Sequence, residues 1–414
     1  MSSKEVIVSI SLSGEDIRIG KLWFHVRGHK ESASFEYDKK WLDHPDKFAL
    51  DPALQLTEGA FHTGQEMSLF GAIGDSAPDR WGRVLMRRAE AARAKEQNRV
   101  PRTLFEIDYL LGVNDEARQG ALRFSVSPDE SVFLSPKHKM SIPPLVDLPK
   151  LLSATERFIA DNESAEDLRL LLAPGSSLGG ARPKASVRDK DGSLAIAKFS
   201  KKDDGFNVVV WEAVTLTLAK KAGINVPLHR LEMICEKPVL IISRFDRKDG
   251  KRIPFLSAMS MLGARDNEQH SYLEMVYALA RNGASPEEDM KELWRRIVFT
   301  IMVCNTDDHL RNHGFIYEQH KGWRLSPAYD INPTPAEIAP RILTTSIDLH
   351  ENAASLEVAM NAAIEFRLQK KEALLIIKEV AAAVKQWRQI ASEFGLSKRE
   401  CDRMSSAFVY EANE

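Results

Sequence analysis

The chain has 414 residues, 43% of them hydrophobic and 28% charged, a composition that excludes a disordered or fibrous protein and a length that predicts two or three domains. With 57 Lys and Arg against 59 Asp and Glu the formal net charge is -2, which excludes the overall basic excess that drives non-specific nucleic-acid binding and leaves room only for a local basic patch. The three cysteines, Cys235, Cys304 and Cys401, are too few and too scattered for a disulfide framework or a zinc pair, and no stretch reads as a leader or a membrane span, so we expect a cytoplasmic protein with no membrane association.

In chain order, Val6, Val8 and Ile10 alternate as on one side of a strand, and residues 22–26 form a second apolar run. Residues 79–99 turn helical and rich in Arg, Ala and Glu, and residues 107–111 continue as a second helix ending near Gly112. Prolines at 128, 136, 143, 144 and 149 resist both helix and central strand and mark a domain boundary. Beyond it comes a glycine-rich segment, then strands over 185–187 and 194–199, a helix over 208–222 stopped by Gly223 and Pro227, and strands around Leu231 and over 239–242. The rest is mostly helical, with helices expected over 271–281, 287–303 and 372–390. The domains expected are 1–145 (mixed α/β, accessory), 150–245 (small α+β) and 246–414 (mainly helical), an α+β fold overall.

The polar stretch Asn305-Thr306-Asp307-Asp308-His309-Leu310-Arg311-Asn312 follows an amphipathic helix carrying Ile297, Val298, Ile301 and Met302. Asp307 and Asn312 have the spacing of a protein-kinase catalytic loop, in which the carboxylate accepts the substrate hydroxyl proton and the amide holds magnesium. A hairpin over residues 315–325 would return the chain so that Asp330 faces Asn312, where both could chelate Mg2+ with nucleotide phosphates. Alternatives stand beside this: Asp307, Asp308 and Asn312 as helix caps or turn residues, or a metal site on His309 and His313, which lacks the glutamate that H-E-x-x-H sites need.

Gly179 and Gly180 let backbone N–H groups approach a polyphosphate, and Lys184 adds charge nearby. Lys198 lies in the apolar run 194–199, on the side of Leu194 and Ile196, where it needs an anion; Glu212 on the following helix offers one, as in the strand-lysine to helix-glutamate pair that positions ATP in kinases. The alternatives are an ordinary glycine–serine loop, a strand-end lysine and a solvated glutamate. The order of parts favours a kinase: glycine loop, lysine, glutamate, catalytic Asp with its Asn, metal Asp.

The sequence also resembles the HipA-type toxins, serine/threonine kinases of bacterial toxin–antitoxin modules. The resemblance is carried by Ser177-Leu178-Gly179-Gly180-Ala181-Arg182-Pro183-Lys184, Leu218-Ala219-Lys220-Lys221-Ala222-Gly223-Ile224-Asn225-Val226-Pro227, Arg244-Phe245-Asp246-Arg247, residues 305–312, Ser326-Pro327-Ala328-Tyr329-Asp330, and, nearer the N-terminus, Pro78-Asp79-Arg80-Trp81-Gly82 and Gly120-Ala121-Leu122-Arg123-Phe124. It implies a two-lobed protein-kinase-like fold, ATP and Mg2+ as cofactors, Asp307 as base, Asn312 and Asp330 as magnesium ligands and Lys198 as the nucleotide lysine. It further implies that the segment from Gly179 through Gly180, Ala181, Arg182 and Pro183 to Lys184 is the phosphate loop. Ser243, Arg244 and Phe245 would lie beside the adenine, with His309, Tyr329, Asp330, Ile331 and Asn332 as further nucleotide contacts, and Ser177 would be an autophosphorylation site. Arg182-Pro183 replaces a common Gln-Glu, and Asp308 stands where a small residue is common. The implied partners are a HipB-like helix-turn-helix antitoxin and a protein substrate, with an aminoacyl-tRNA synthetase as the candidate the resemblance offers. DNA would be reached only indirectly, through the antitoxin. A co-repressor scaffold without catalysis and a kinase of a small molecule are the competing functions.

Overall fold

The alternation of Val6, Val8 and Ile10 is satisfied by burying all three side chains on one side of a strand. The structure, a computed structural model, describes residues 4–28, 30–64, 67–126, 133, 142–175, 180–201 and 204–410. The chain forms two compact units, one of residues 1–203 and 233–256, the other of 204–232 and 257–414.

In the first unit, β1 (Lys4–Leu12), β2 (Glu15–Arg27), β3 (Lys30–Tyr37), β4 (Ala60–His62) and β5 (Leu122–Ser125) make an antiparallel sheet of order β4-β3-β2-β1-β5. Gly20 is required on β2, because a Cβ there would meet the Glu36 carbonyl at 2.3 Å and the Phe35 ring at 2.7 Å. A second sheet contains β6 (Lys184–Arg188), β7 (Leu194–Phe199), β8 (His229–Ile234), which enters this unit at Met233, and β9 (Lys237–Ser243), in the order β6-β7-β9-β8. Its apolar face, with Val187, Phe199 and Ile241, shares one core with Leu151 and Phe158 of the Leu148–Ile159 helix and with Trp81 and Leu85 of the Arg80–Glu96 helix. Trp81 meets Phe158 edge-on at 5.1 Å and donates Nε1–H to the Lys184 carbonyl at 3.0 Å. Burying an indole with its N–H satisfied is among the larger apolar contributions available to a core, and it explains why Trp81 sits in a recognisable motif. The proline-rich boundary segment lies largely outside the described residues.

The second unit is mainly helical. Pro286 at the first turn and Glu287, Glu288 and Asp289 near the N-terminus suit the dipole of the Pro286–Val303 helix, whose C-terminal half is buried almost all round. The expected helix over 372–390 is instead two, Lys370–Val384 and Trp387–Glu393. The break accompanies a tertiary contact, since Trp387 stacks on Phe408 at 4.4 Å and tilts against Trp211 of the Val208–Lys221 helix at 6.1 Å. The expected hairpin is present, Gly314–Glu318 pairing with Gly322–Leu325. No helix among the described residues is long and apolar enough to cross a membrane.

Candidate active site

The polar stretch after Val303 begins with a reversal. Cys304 takes a left-handed conformation (φ 51°, ψ 48°), uncommon for a side chain with a Cβ, and its carbonyl accepts from Thr306 N and Thr334 N, both at 3.0 Å. The Thr306 carbonyl accepts from Thr344 N (3.2 Å) and Thr344 Oγ1 (2.8 Å). Buried Asn305 turns Oδ1 toward Asn332 N at 3.3 Å. The loop is thus held from both flanks by backbone far along the chain.

On this support Asp307 is exposed and Asp308 is buried. Leu310–Asn312 forms a single 3-10 turn that brings the Asn312 side chain back, so that Nδ2 donates to the Asp307 carbonyl at 2.9 Å. The bond orients the amide and leaves Oδ1 for a cation. Asp330, half-buried, has φ 55°, and its neighbours are tied down: Tyr329 OH donates to the Arg311 carbonyl at 2.9 Å, and the Ile331 carbonyl accepts Thr215 Oγ1 at 2.5 Å. Thr215 is one helical turn from Glu212, itself buried, on the Val208–Lys221 helix. His309 is half-buried, and its Nδ1 has no hydrogen-bond partner among the described residues. An amide oxygen and a carboxylate are hard donors that fit magnesium, which takes one or two protein ligands plus phosphates and not a full protein cage. No cluster of three His, Cys, Asp or Glu residues arranged for a metal exists among the described residues.

Asp308 makes an inward site of its own. Tyr272 OH donates to Oδ2, Thr300 Oγ1 lies 3.5 Å from the same oxygen, and His313 Nε2 lies 3.0 Å from Oδ1. Burial works to raise the Asp308 pKa, but the charge and hydrogen bonding of His313, with Tyr272, hold it below the ordinary carboxylate value. The Tyr272 phenol is pushed well up, by burial and then by the neighbouring carboxylate. A cavity of about 20 Å³ behind the loop, touched by Asn305, Asp308, Asn312, His313 and Tyr329, has room for one water and none for a nucleotide.

In the first unit, Lys184 and Lys198 are cross-strand partners on β6 and β7, both nearly buried, so their side chains share one face of the sheet. The pair places two basic residues on the face of the sheet where the glycine-rich segment joins it. Of that segment, Gly180 has φ 91°, Ala181 is exposed, Arg182 is half-buried, and the Pro183 carbonyl accepts Phe199 N at 3.1 Å; Ser177 and Gly179 lie outside the described residues. Ser243 pairs with Ala195 at the end of β9, and Phe245 packs against Phe255 at 6.1 Å. Arg244 turns its side chain inward, into a bidentate pair with Asp246 (2.7 and 2.5 Å) and onto the Ala117 and Arg118 carbonyls (2.7 and 3.2 Å). Asp246 also accepts Gly120 N at 2.8 Å and Arg247 at 2.7 Å. The Arg244-Phe245-Asp246-Arg247 and Gly120–Phe124 motifs therefore meet. Burial works against the Asp246 charge, and Arg244 and Arg247 hold its pKa far below the usual carboxylate range.

Sequence reasoning missed Tyr272, Thr300, Thr345 and Thr215, and it named Asn305 only as part of the polar stretch. No local pattern marks what they do, because each reaches a segment outside its own element.

The model of the HipA-like C-terminal domain matches residues 176–388, and that of the HipA N-terminal domain matches residues 10–105. A Haemophilus influenzae protein named "Putative kinase" is 29% identical over 189 residues, 39% of this chain, which spans about half (54%) of that relative's length. A Sinorhizobium fredii protein, "Putative kinase Y4mE", is 24% identical over 340 residues, 74% of each chain. Among solved structures, HipA from the Shewanella oneidensis HipA, HipB and operator DNA complex superposes with a TM-score of 0.65 at 16% identity, covering 97% of this chain and 94% of that one. At that identity the likeness establishes the fold, which is the α+β, two-lobed kinase-like architecture with an N-terminal accessory part.

Proposed function

This chain belongs to the HipA-like family, and on that premise we propose that it is an ATP- and magnesium-dependent serine/threonine protein kinase, the toxin of a toxin–antitoxin pair. The observation that carries the reading is the Asn312 amide bonded to the carbonyl of exposed Asp307: a carboxylate facing solvent with a magnesium-type ligand fixed beside it. Asp307 accepts the proton of the substrate hydroxyl, and Asn312 and Asp330 hold the metal, which when bound neutralises phosphate charge. Lys184 and Lys198 balance the phosphates, Glu212 orients Lys198, and Gly179 and Gly180 offer backbone N–H groups. Ser243 to Phe245 flank the adenine mainly through backbone, since the Arg244 side chain is committed to Asp246. His309, Tyr329, Ile331 and Asn332 complete the nucleotide contacts.

The partner is a helix-turn-helix antitoxin, as the neighbour's complex with HipB suggests, and the substrate is a cytoplasmic protein, with an aminoacyl-tRNA synthetase as the first candidate. Phosphate on Ser177 would add about -1.5 to -2 charge to the glycine loop and repel the nucleotide, switching the enzyme off.

Asp307→Asn keeps shape and removes the proton acceptor. Transfer should fall about 10²–10⁴-fold with ATP still bound, whereas Asp330→Ala should weaken ATP binding only when magnesium is present. Wild-type turnover in Asp307→Asn would end the assignment, since Asp308 is too enclosed to take over.

A further inference from the structure

We infer that Asp308, which the resemblance marks as a departure, is a positioning residue that sets the separation of Asp307 and Asn312. The inference rests on the catalytic reading of those two residues. Two bridges span the same short loop. On the outer side the Asn312 side chain reaches back to the Asp307 carbonyl at 2.9 Å. On the inner side the Asp308 carboxylate reaches forward to His313 Nε2 at 3.0 Å. Each bridge starts next to an end of the other, so that closing one sets the span of the other.

The inner bridge is anchored to elements that do not belong to the loop. Tyr272, the first residue of the Tyr272–Asn282 helix, is wholly buried, donates to Asp308 Oδ2 and presents its ring edge-on to His313 at 5.5 Å. Thr300 approaches the same oxygen from the Pro286–Val303 helix. The His313 carbonyl accepts Ala258 N at 2.8 Å, from the Ala258–Leu262 helix, and Thr345 Oγ1 donates to the Asp308 carbonyl at 2.6 Å. A small residue at 308 would leave Tyr272 OH buried and without its acceptor, and would remove the carboxylate beside the His313 imidazole. Asp308 is therefore the point at which two helices and the segment at Thr345 register the loop proposed to carry the chemistry, with a third helix held on His313 beside it.

The test uses the full chain and ATP with a serine-containing protein acceptor, with autophosphorylation as the fallback readout. Asp308→Ala should lower kcat by about 10²-fold, the scale of loss for a displaced catalytic group, with magnesium-free ATP affinity unchanged by calorimetry. Tyr272→Phe, which keeps the packing and so the fold, should lower kcat about tenfold, one lost charge-assisted hydrogen bond. His313→Gln, which keeps a polar group beside Asp308 Oδ1, should retain activity within a few-fold, while His313→Ala should resemble Asp308→Ala. A role in stability alone would lower the melting temperature and leave kcat of the folded fraction intact. That result in both Asp308→Ala and Tyr272→Phe, with Asp307→Asn inactive, would overturn the inference and leave the catalytic reading standing. An active Asp307→Asn would overturn both.

Discussion

Asp51 illustrates what burial does to one carboxylate when its partners are neutral. It is 2% exposed, and its two oxygens accept Ala53 N and Ala72 N, each at 2.9 Å. Burial pushes its pKa up to about 6, and the two N–H groups offset only part of that. Between the unfolded value, about 3.9, and 6 the native state binds more protons than the unfolded chain, so stability contributed by this group is present at pH 4 and lost as pH rises through 6. Asp51→Asn removes the titration, and it also turns an N–H donor toward Ala72 N or Ala53 N. The stability gap between wild type and Asp51→Asn should therefore widen on going from pH 7 to pH 4, by up to about 3 kcal/mol. Urea midpoints at the two pH values measure it, and a gap independent of pH would contradict the assignment.

Elements show which parts of the fold can be read locally. The Val6, Val8, Ile10 alternation and the Pro286–Val303 helix were legible because each side chain's fate follows from its position in a repeating pattern. The Val208–Lys221 helix was legible as a helix but not as a strut. Its Thr215 hydroxyl reaches the Ile331 carbonyl, 116 positions away, and no period in the sequence announces such a bond. Likewise the spacing of Asp307 and Asn312 marked out the polar loop, whereas the inward turn of Asp308 depends on Tyr272, contributed by a different helix. The strut has a consequence at this scale. Thr215→Val keeps shape and removes the hydroxyl, so the Ile331 carbonyl loses its donor at a cost of about 1 kcal/mol, and Asp330 loses a constraint next to it. Magnesium-dependent ATP affinity should fall about fivefold by calorimetry, with affinity in EDTA unchanged. Equal losses with and without magnesium would place the effect on the helix in general and not on Asp330.

Neither compact unit is a continuous stretch of chain, since the path leaves the first unit at residue 204, returns at 233 and leaves again at 257. The first unit is consequently stabilised by contacts between segments that sequence order separates. Trp81, from the N-terminal third, fills the core beneath β6 and β7 and donates to the carbonyl of Lys184, the residue whose side chain shares a face with Lys198. Asp246 and Arg244 bind the backbone at Ala117, Arg118 and Gly120. Removing the N-terminal segment would expose that core and leave the Arg244 and Asp246 groups short of their backbone partners, so a fragment starting at residue 150 should be insoluble or rapidly proteolysed although it retains every proposed catalytic residue. The point variants separate the two contributions of Trp81. Trp81→Ala opens a cavity and should cost about 3–5 kcal/mol. Trp81→Phe keeps most of the apolar contact and gives up the bond to the Lys184 carbonyl, which should cost about 1 kcal/mol for the bond itself. If the bond also fixes where β6 begins, Trp81→Phe should weaken ATP binding while the melting temperature shifts little. A variant with wild-type ATP affinity would show that Trp81 contributes packing alone and that Lys184 is positioned by the strand ladder with β7.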